Sequence, residues 1–181
     1  MKIVKIVFLA LLSFILLALL VAIFVPRTFT VSSSETILKP KLEVFNYVRF
    51  LDKQREYSIW VLADPLLVPE IRGTDGEVGA IQSWNSKIED VGEGEQEITS
   101  LSPDRIEVDI RFKRPFKGNA RAAFLLKALN ENETELVSEF YGEANYPFNL
   151  MAYTFGRKML RQAEEKNLQN IKRILEKTEH E

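Results

Sequence analysis

The sequence predicts an α+β fold: an antiparallel sheet of about seven strands around one long C-terminal helix, preceded by a single transmembrane helix. Three observations predict it. Ile6 to Val25 are twenty residues in a row without a charge, and Ser13 is the only polar side chain among them. From Thr28 to Gly142, short alternating segments follow one another, punctuated by Gly, Pro, Asn and Asp, which is the pattern of strands joined by tight turns. From about Asn149 to Lys177 the spacing is helical and no proline interrupts it. A sheet that wraps a helix is a container, and the remaining residues are read against that expectation.

Twenty residues at a rise of about 1.5 Å span roughly 30 Å, the hydrocarbon thickness of a bilayer. A cleaved signal peptide is the rival reading, but its apolar region runs about 7–15 residues and ends in a small-x-small site. Here the run ends in Ala22-Ile23-Phe24-Val25-Pro26, with bulky residues where small ones are needed. An uncleaved anchor over residues 1–27 is the expectation. Lys2 and Lys5 precede the span, so the positive-inside rule places the N-terminus in the cytoplasm and the rest in the periplasm or outside the cell.

The remainder, residues 28–178, reads as one domain, with 179–181 a frayed tail. Hydrophobic residues make up 46% of the chain, an ordinary globular fraction that the N-terminus inflates. Lys2 and Lys5 aside, 22 of the 24 basic residues stand against 26 acidic ones, a net of about −4. A mildly acidic domain lacks the basic surface that nucleic-acid binding requires, so no nucleic-acid partner is expected. There is no cysteine, hence no disulfide and no thiol chemistry.

Thr28–Ile37 is rich in Thr, Val and Ser and suits a first strand. Pro40 marks a helix start, and Leu42, Val44, Phe45, Val48 and Leu51 follow at helical spacing. A second short helix, about Asp52–Ser58, leads to Trp60. Gly73-Thr74-Asp75-Gly76 and Gly79 are turn residues between two further strands. In Ala80–Asn85, Ala80, Gln82 and Trp84 share a side. Gly92–Leu101 puts Glu93, Glu95 and Glu97 on one face, and Ser102-Pro103-Asp104 turns the chain. Ile106, Val108, Ile110 and Phe112 alternate with Glu107, Asp109, Arg111 and Lys113, the clearest half-buried strand. Ala120–Leu129, a polar hairpin loop at Asn130–Glu133, and a last strand with Leu136, Ser138 and Phe140 complete the sheet. In the final helix, Leu160, Ala163, Leu168, Ile171, Ile174 and Leu175 form one apolar stripe opposite Lys158, Arg161, Glu165 and Gln169. Its first turns, with Leu150, Met151, Tyr153, Phe155 and Met159, are apolar over a wider arc, which implies wrapping on several sides.

The residues in this order resemble the START-like superfamily, in particular the polyketide cyclase/dehydrase and lipid-transport-like branch, whose members often carry one N-terminal span. Leu38-Lys39-Pro40 before Glu43-Val44-Phe45-Asn46-Tyr47-Val48 resembles its opening motif. Leu51 to Trp60 is similar to its Trp-rich second helix, with Tyr57 and Gln54 where tryptophans are frequent. Gly76 to Trp84 resembles its Gly-x-x-Gly-Ala…Trp hairpin, Gly92-Glu93-Gly94 its next glycine pair, and Phe112-Lys113-Arg114-Pro115-Phe116 its Phe-x-x-Pro-Phe. Tyr146-Pro147-Phe148-Asn149-Leu150-Met151 looks like the stretch that leads into its last helix. The resemblance covers about residues 28–177. It implies a helix-grip fold with a curved sheet and an apolar cavity that takes lipids, polyketides or other hydrophobic ligands, and it carries over no shared catalytic residue.

On that reading the cavity is lined by Trp60, Trp84, Phe112, Phe124, Phe140, Phe155 and Met159. Small residues such as Ala120, Ala122 and Ala128 among the aromatics leave volume unfilled. Glu164 and Asn167 lie beside the Leu160–Ile171 stripe, and a solvated edge is the expectation for both, because an unpaired buried carboxylate is expensive. No catalytic residue, metal ligand or cofactor is assigned. His180 is the only histidine and lies in the tail, so Ser-His-Asp, Cys-His and the usual zinc sites are excluded. The acidic run Glu89, Asp90, Glu93, Glu95 and Glu97 lacks calcium-loop spacing and suits a solvated face. The basic group Arg111, Lys113, Arg114, Lys117 and Arg121 suits cross-strand pairing or anionic headgroups. Three functions stay open: a binding module for a hydrophobic small molecule or lipid, an interaction module with a filled cavity, and a cyclase or hydrolase that uses carboxylates.

Overall fold

The computed structural model describes residues 2–177. The expectation of a frayed tail at 179–181, with His180, lies outside them. Helix α1 (Lys2–Phe24) is apolar beyond Lys5 apart from Ser13, with a mean hydropathy of 3.3 over an 18-residue stretch, and is by length and composition able to cross a membrane. Three residues separate it from β1 (Thr28–Ile37). Pro40 then sits at the N-cap of α2 (Lys41–Val48). The second short helix is broken in two, a 3₁₀ turn at Leu51–Lys53 and α3 (Gln54–Tyr57), and a further one, α4 (Ile59–Leu62), carries Trp60.

Strands β2 (Glu70–Arg72), β3 (Ile81–Asn85), β4 (Glu93–Ser102), β5 (Arg105–Arg114), β6 (Gly118–Asn130) and β7 (Glu133–Glu143) join β1 in one antiparallel sheet. Its order is β1-β7-β6-β5-β4-β3-β2, so the chain meanders from β2 to β7 and the last strand closes beside the first. The β1–β7 register runs unbroken from Thr28↔Glu143 to Ile37↔Thr134. Register shifts interrupt β4–β5 at Ile98/Ser100 and β6–β7 at Ala128/Asn130. Such bulges bend a strand and raise its twist, which curves the sheet around what it covers.

What it covers is the last helix: α5 (Asn149–Met151), one wider π-type turn at Ala152–Gly156, and α6 (Arg157–Lys177). On α6, Ala163, Leu168, Ile171 and Leu175 are buried, as the stripe predicts. Leu168 and Ile171 meet Ile37, Val44, Leu126 and Leu136 in a solid core. Ile37 ends β1, Leu136 lies near the start of β7, and Leu126 on β6 pairs with Leu136, all at the end of the sheet farthest from α1. The first turns of the helix depart from expectation, because Met151, Tyr153, Phe155 and Met159 are exposed rather than wrapped.

The outer face of the sheet pairs its charges across strands. Arg111 reaches Glu95 at 2.8 Å and Glu97 at 2.9 Å, and Glu93 receives Arg114 at 3.2 Å and Lys113 at 3.6 Å. Arg111 and its hydrogen bond hold the Glu95 carboxyl below the ordinary carboxylate range. Arg121 instead stacks 5.5 Å from the Tyr141 ring centroid. Exposed pairs of this kind contribute about 0–1 kcal/mol each, so they set register more than stability.

Candidate functional site

Toward the α1 end the inner face of β6 carries smaller residues. Along β6 the inward positions change from Leu126 and Phe124 to Ala122 and Ala120. Opposite them, the first turns of α6 offer Leu160 and Met159. The sheet and helix cannot fill this space, and a cavity of about 480 Å³ remains, within the ~300–1,000 Å³ of small-molecule sites.

Six of the seven residues expected at the wall line this cavity: Trp60, Trp84, Phe112, Phe124, Phe140 and Met159. Trp84 and Phe112 meet edge to face, ring centroids 6.2 Å apart, and the Trp84 indole N–H donates to the Val91 carbonyl at 3.2 Å. Gly94 makes this placement feasible, since a Cβ there would come within 2.6 Å of the Trp84 ring and 2.7 Å of the Arg111 carbonyl oxygen. Phe155 is the exception. It does not line the cavity and stands 76% exposed, within the wider turn at Ala152–Gly156.

Glu164 and Asn167 correct the expected solvated edge: both line the cavity. The Ser138 hydroxyl donates to Glu164 Oε2 at 2.6 Å, and Asn167 Oδ1 accepts the Ile59 amide at 2.9 Å. Burial pushes the Glu164 carboxyl pKa up, and the Ser138 hydrogen bond offsets this in part. A raised pKa favours the protonated form, which can donate a hydrogen bond inside an apolar space. A second polar group stands on the β3–β4 wall. Gln96 Nε2 donates to Gln54 Oε1 and to Gln82 Oε1, each at 2.7 Å, and Gln82 Nε2 donates to the Leu51 carbonyl at 2.7 Å. Tyr57, fully enclosed beneath, has its phenol pKa raised by that burial.

The sequence pattern alone does not single out this glutamine group or Phe29. Gln82 shares its strand face with Ala80 and Trp84, and that alternation is the available signal for it. For Phe29 the signal lies across the strands, where it faces Gly142 in the register. A Cβ on Gly142 would come within 2.4 Å of the Phe29 ring, so glycine there makes room for an aromatic wall residue. Among the described residues no group of three or more acidic or histidine side chains could hold a metal ion.

The architecture has counterparts among solved structures. The di-domain ARO/CYC StfQ from the steffimycin biosynthetic pathway is 14% identical, with a TM-score of 0.65 over 84% of this chain and 52% of that one. TTHA0849 from Thermus thermophilus is 13% identical, TM-score 0.62, over 83% and 99%. Ara h 8.0201 is 13% identical, TM-score 0.56, over 82% and 97%. The chain has the helix-grip fold. At such identities the likeness establishes the fold alone, and this chain spans about half the length of StfQ. No family model matches the chain, and no curated protein does.

Proposed function

We propose that this chain is a membrane-anchored binding protein that holds a hydrophobic small molecule or a single lipid between the sheet and the last helix, as in the polyketide cyclase and lipid-transport-like branch of the START-like fold. The observation that carries this reading is the unfilled space itself: aromatic and alanine walls around about 480 Å³, with a hydroxyl-paired glutamic acid inside. Apolar walls supply the burial that drives binding, and a few fixed polar groups orient the ligand. Glu164 and the Gln54–Gln82–Gln96 group suit a ligand with one uncharged polar end. Glu164 is hydrogen-bonded by Ser138, while Asp90 and Glu143, the other carboxylates that line the cavity, are exposed, which supports binding over chemistry by a buried carboxylate pair.

Helix α1 is the anchor in this reading, with its N-terminus in the cytoplasm and residues 28–178 beyond the membrane. Asn149 supports the helix as a retained part of the protein, because its Nδ2 donates to the carbonyls of Ala22 at 2.7 Å and Val25 at 2.8 Å. These belong to the helix C-terminus, where carbonyls lack intrahelical partners.

Both tryptophans of the chain, Trp60 and Trp84, line the cavity. The full chain in detergent should therefore transfer excitation energy to N-phenyl-1-naphthylamine, a neutral apolar probe, in a saturable way. Bound material extracted from the freshly purified protein and identified by mass spectrometry gives the natural ligand. A chain that shows no saturable transfer and releases no bound molecule rules the reading out.

A further inference from the structure

The last helix carries a second apolar feature, which meets the cavity only at Met159. Met151, Phe155 and Met159 are 56%, 76% and 55% exposed. A four-residue step runs a little past one turn in an α-helix and falls a little short of one in the wider turn, so the two steps offset each other. The three side chains form one stripe. It starts beside α1, since Asn149, two residues ahead of Met151, is hydrogen-bonded to the carbonyls of Ala22 and Val25. It ends at the cavity, because Met159 is a wall residue while Met151 and Phe155 are not. Phe116, 75% exposed in the β5–β6 loop, lines the same cavity, with Lys117 next to it. Arg157 flanks the stripe, its guanidinium 4.6 Å from the Tyr153 ring centroid.

Exposed apolar patches with a polar rim mark protein or membrane contacts. Two features favour the membrane. The stripe is continuous with the end of a helix that is long and apolar enough to span a bilayer. Arg157 beside Tyr153 and Lys117 beside Phe116 can meet headgroup phosphates above acyl chains, with Asp90 and Glu143 also at the cavity mouth. We propose that Met151, Phe155 and Met159, with Phe116, sit in the headgroup–acyl boundary of the bilayer that α1 crosses. They form a track along which an uncharged, membrane-soluble ligand passes between the bilayer and the cavity without crossing water. This rests on the anchored-container reading above and adds the source of the ligand and its route.

The chain has no cysteine, so a dye can be placed at one position of the full protein through Phe155→Cys or Gln169→Cys. In nanodiscs of phosphatidylcholine and phosphatidylglycerol, a nitrobenzoxadiazole label at 155 is expected to be quenched several-fold more by shallow doxyl lipid than one at 169. Equal quenching at the two sites overturns the proposal. A label at 155 that is shielded from water yet indifferent to doxyl lipid also overturns it, and places a second copy or another protein on the stripe. The double variant Met151→Asp/Phe155→Asp tests the track. Its uptake of N-phenyl-1-naphthylamine from preloaded vesicles should slow several-fold, while uptake from detergent solution stays unchanged. If both rates fall together, or neither falls, the track is wrong. Loss of probe uptake by the unsubstituted chain would instead strike the container reading, and the doxyl quenching would still decide the seat of the stripe.

Discussion

At the end of the sheet far from α1, Ile37, Leu126 and Leu136 close on Leu168 and Ile171, and all five are buried. At the near end Ala120 and Ala122 lie on β6 between the strands that carry Phe112 and Phe140, and open space remains above them. The same strands and the same helix build both ends, and the backbone pairing hardly changes between them. Side-chain volume makes the difference: β6 gives up large residues toward α1, while α6 exchanges Leu168 and Ile171 for Leu160, Glu164 and Asn167. A packed end fixes the grip of sheet on helix, and a hollow end leaves the room in which the proposed ligand would sit. Stability and the proposed binding then fall to different ends of one element.

Substitutions that strike the two ends should separate these roles. The largest effect is expected from Leu168→Ala in the packed end, a loss of about 2–5 kcal/mol in unfolding free energy, measured by denaturant titration of the full chain in micelles. A much smaller loss would mean that the far end is looser than its burial indicates. Gly94→Ala should cost about 1–3 kcal/mol, since the new methyl meets the Arg111 carbonyl as well as the Trp84 ring. It should also shift the emission of Trp84 and weaken probe uptake, whereas Leu168→Ala leaves uptake intact under conditions where the protein stays folded.

Glu164 sharpens the contrast through pH. Its folded pKa is raised, so its contribution to stability is fully present below the ordinary glutamate range, about pH 4, and is lost as pH rises through the folded value. Glu164→Gln removes this dependence. The variant's melting temperature should therefore gain on that of the unsubstituted chain between pH 4 and neutrality, as followed by circular dichroism across that range. Parallel pH profiles would mean that the carboxyl is solvated. The smallest effect is expected at the rim, where Phe155→Ala should change stability by no more than about 0.5 kcal/mol, despite removing a whole aromatic ring. A loss comparable to that of Leu168→Ala would return Phe155 to the core.

Much of the fold was legible in the sequence, because alternation and helical spacing follow directly from which face of an element meets water. Thr28–Ile37, the Ile106–Phe112 alternation and the Leu160–Leu175 stripe all lie where the pattern puts them. The four wall residues on strands, Trp84, Phe112, Phe124 and Phe140, share one cavity for the same reason, since an inward face is visible in period two. What the pattern does not contain is what an inward face meets. Glu164 lies beside the stripe whether its neighbour is solvent or a hollow, and only the alanines across the sheet decide it. Phe155 departs in the opposite sense. Exposed apolar residues look like core on a helical wheel, and the wide turn in which Phe155 lies leaves no mark in the spacing.

The connection between α1 and the sheet sets a limit of another kind. Only Val25, Pro26 and Arg27 lie between the helix and β1, and three residues reach at most about 11 Å even when fully extended. Asn149 shortens that leash further by clipping the carbonyls of Ala22 and Val25 to the start of the last helix. A carrier on a long flexible stalk could ferry cargo from one membrane to another. This one, anchored as proposed, is confined to the surface it is rooted in: its search is two-dimensional, and whatever receives its cargo must travel to it.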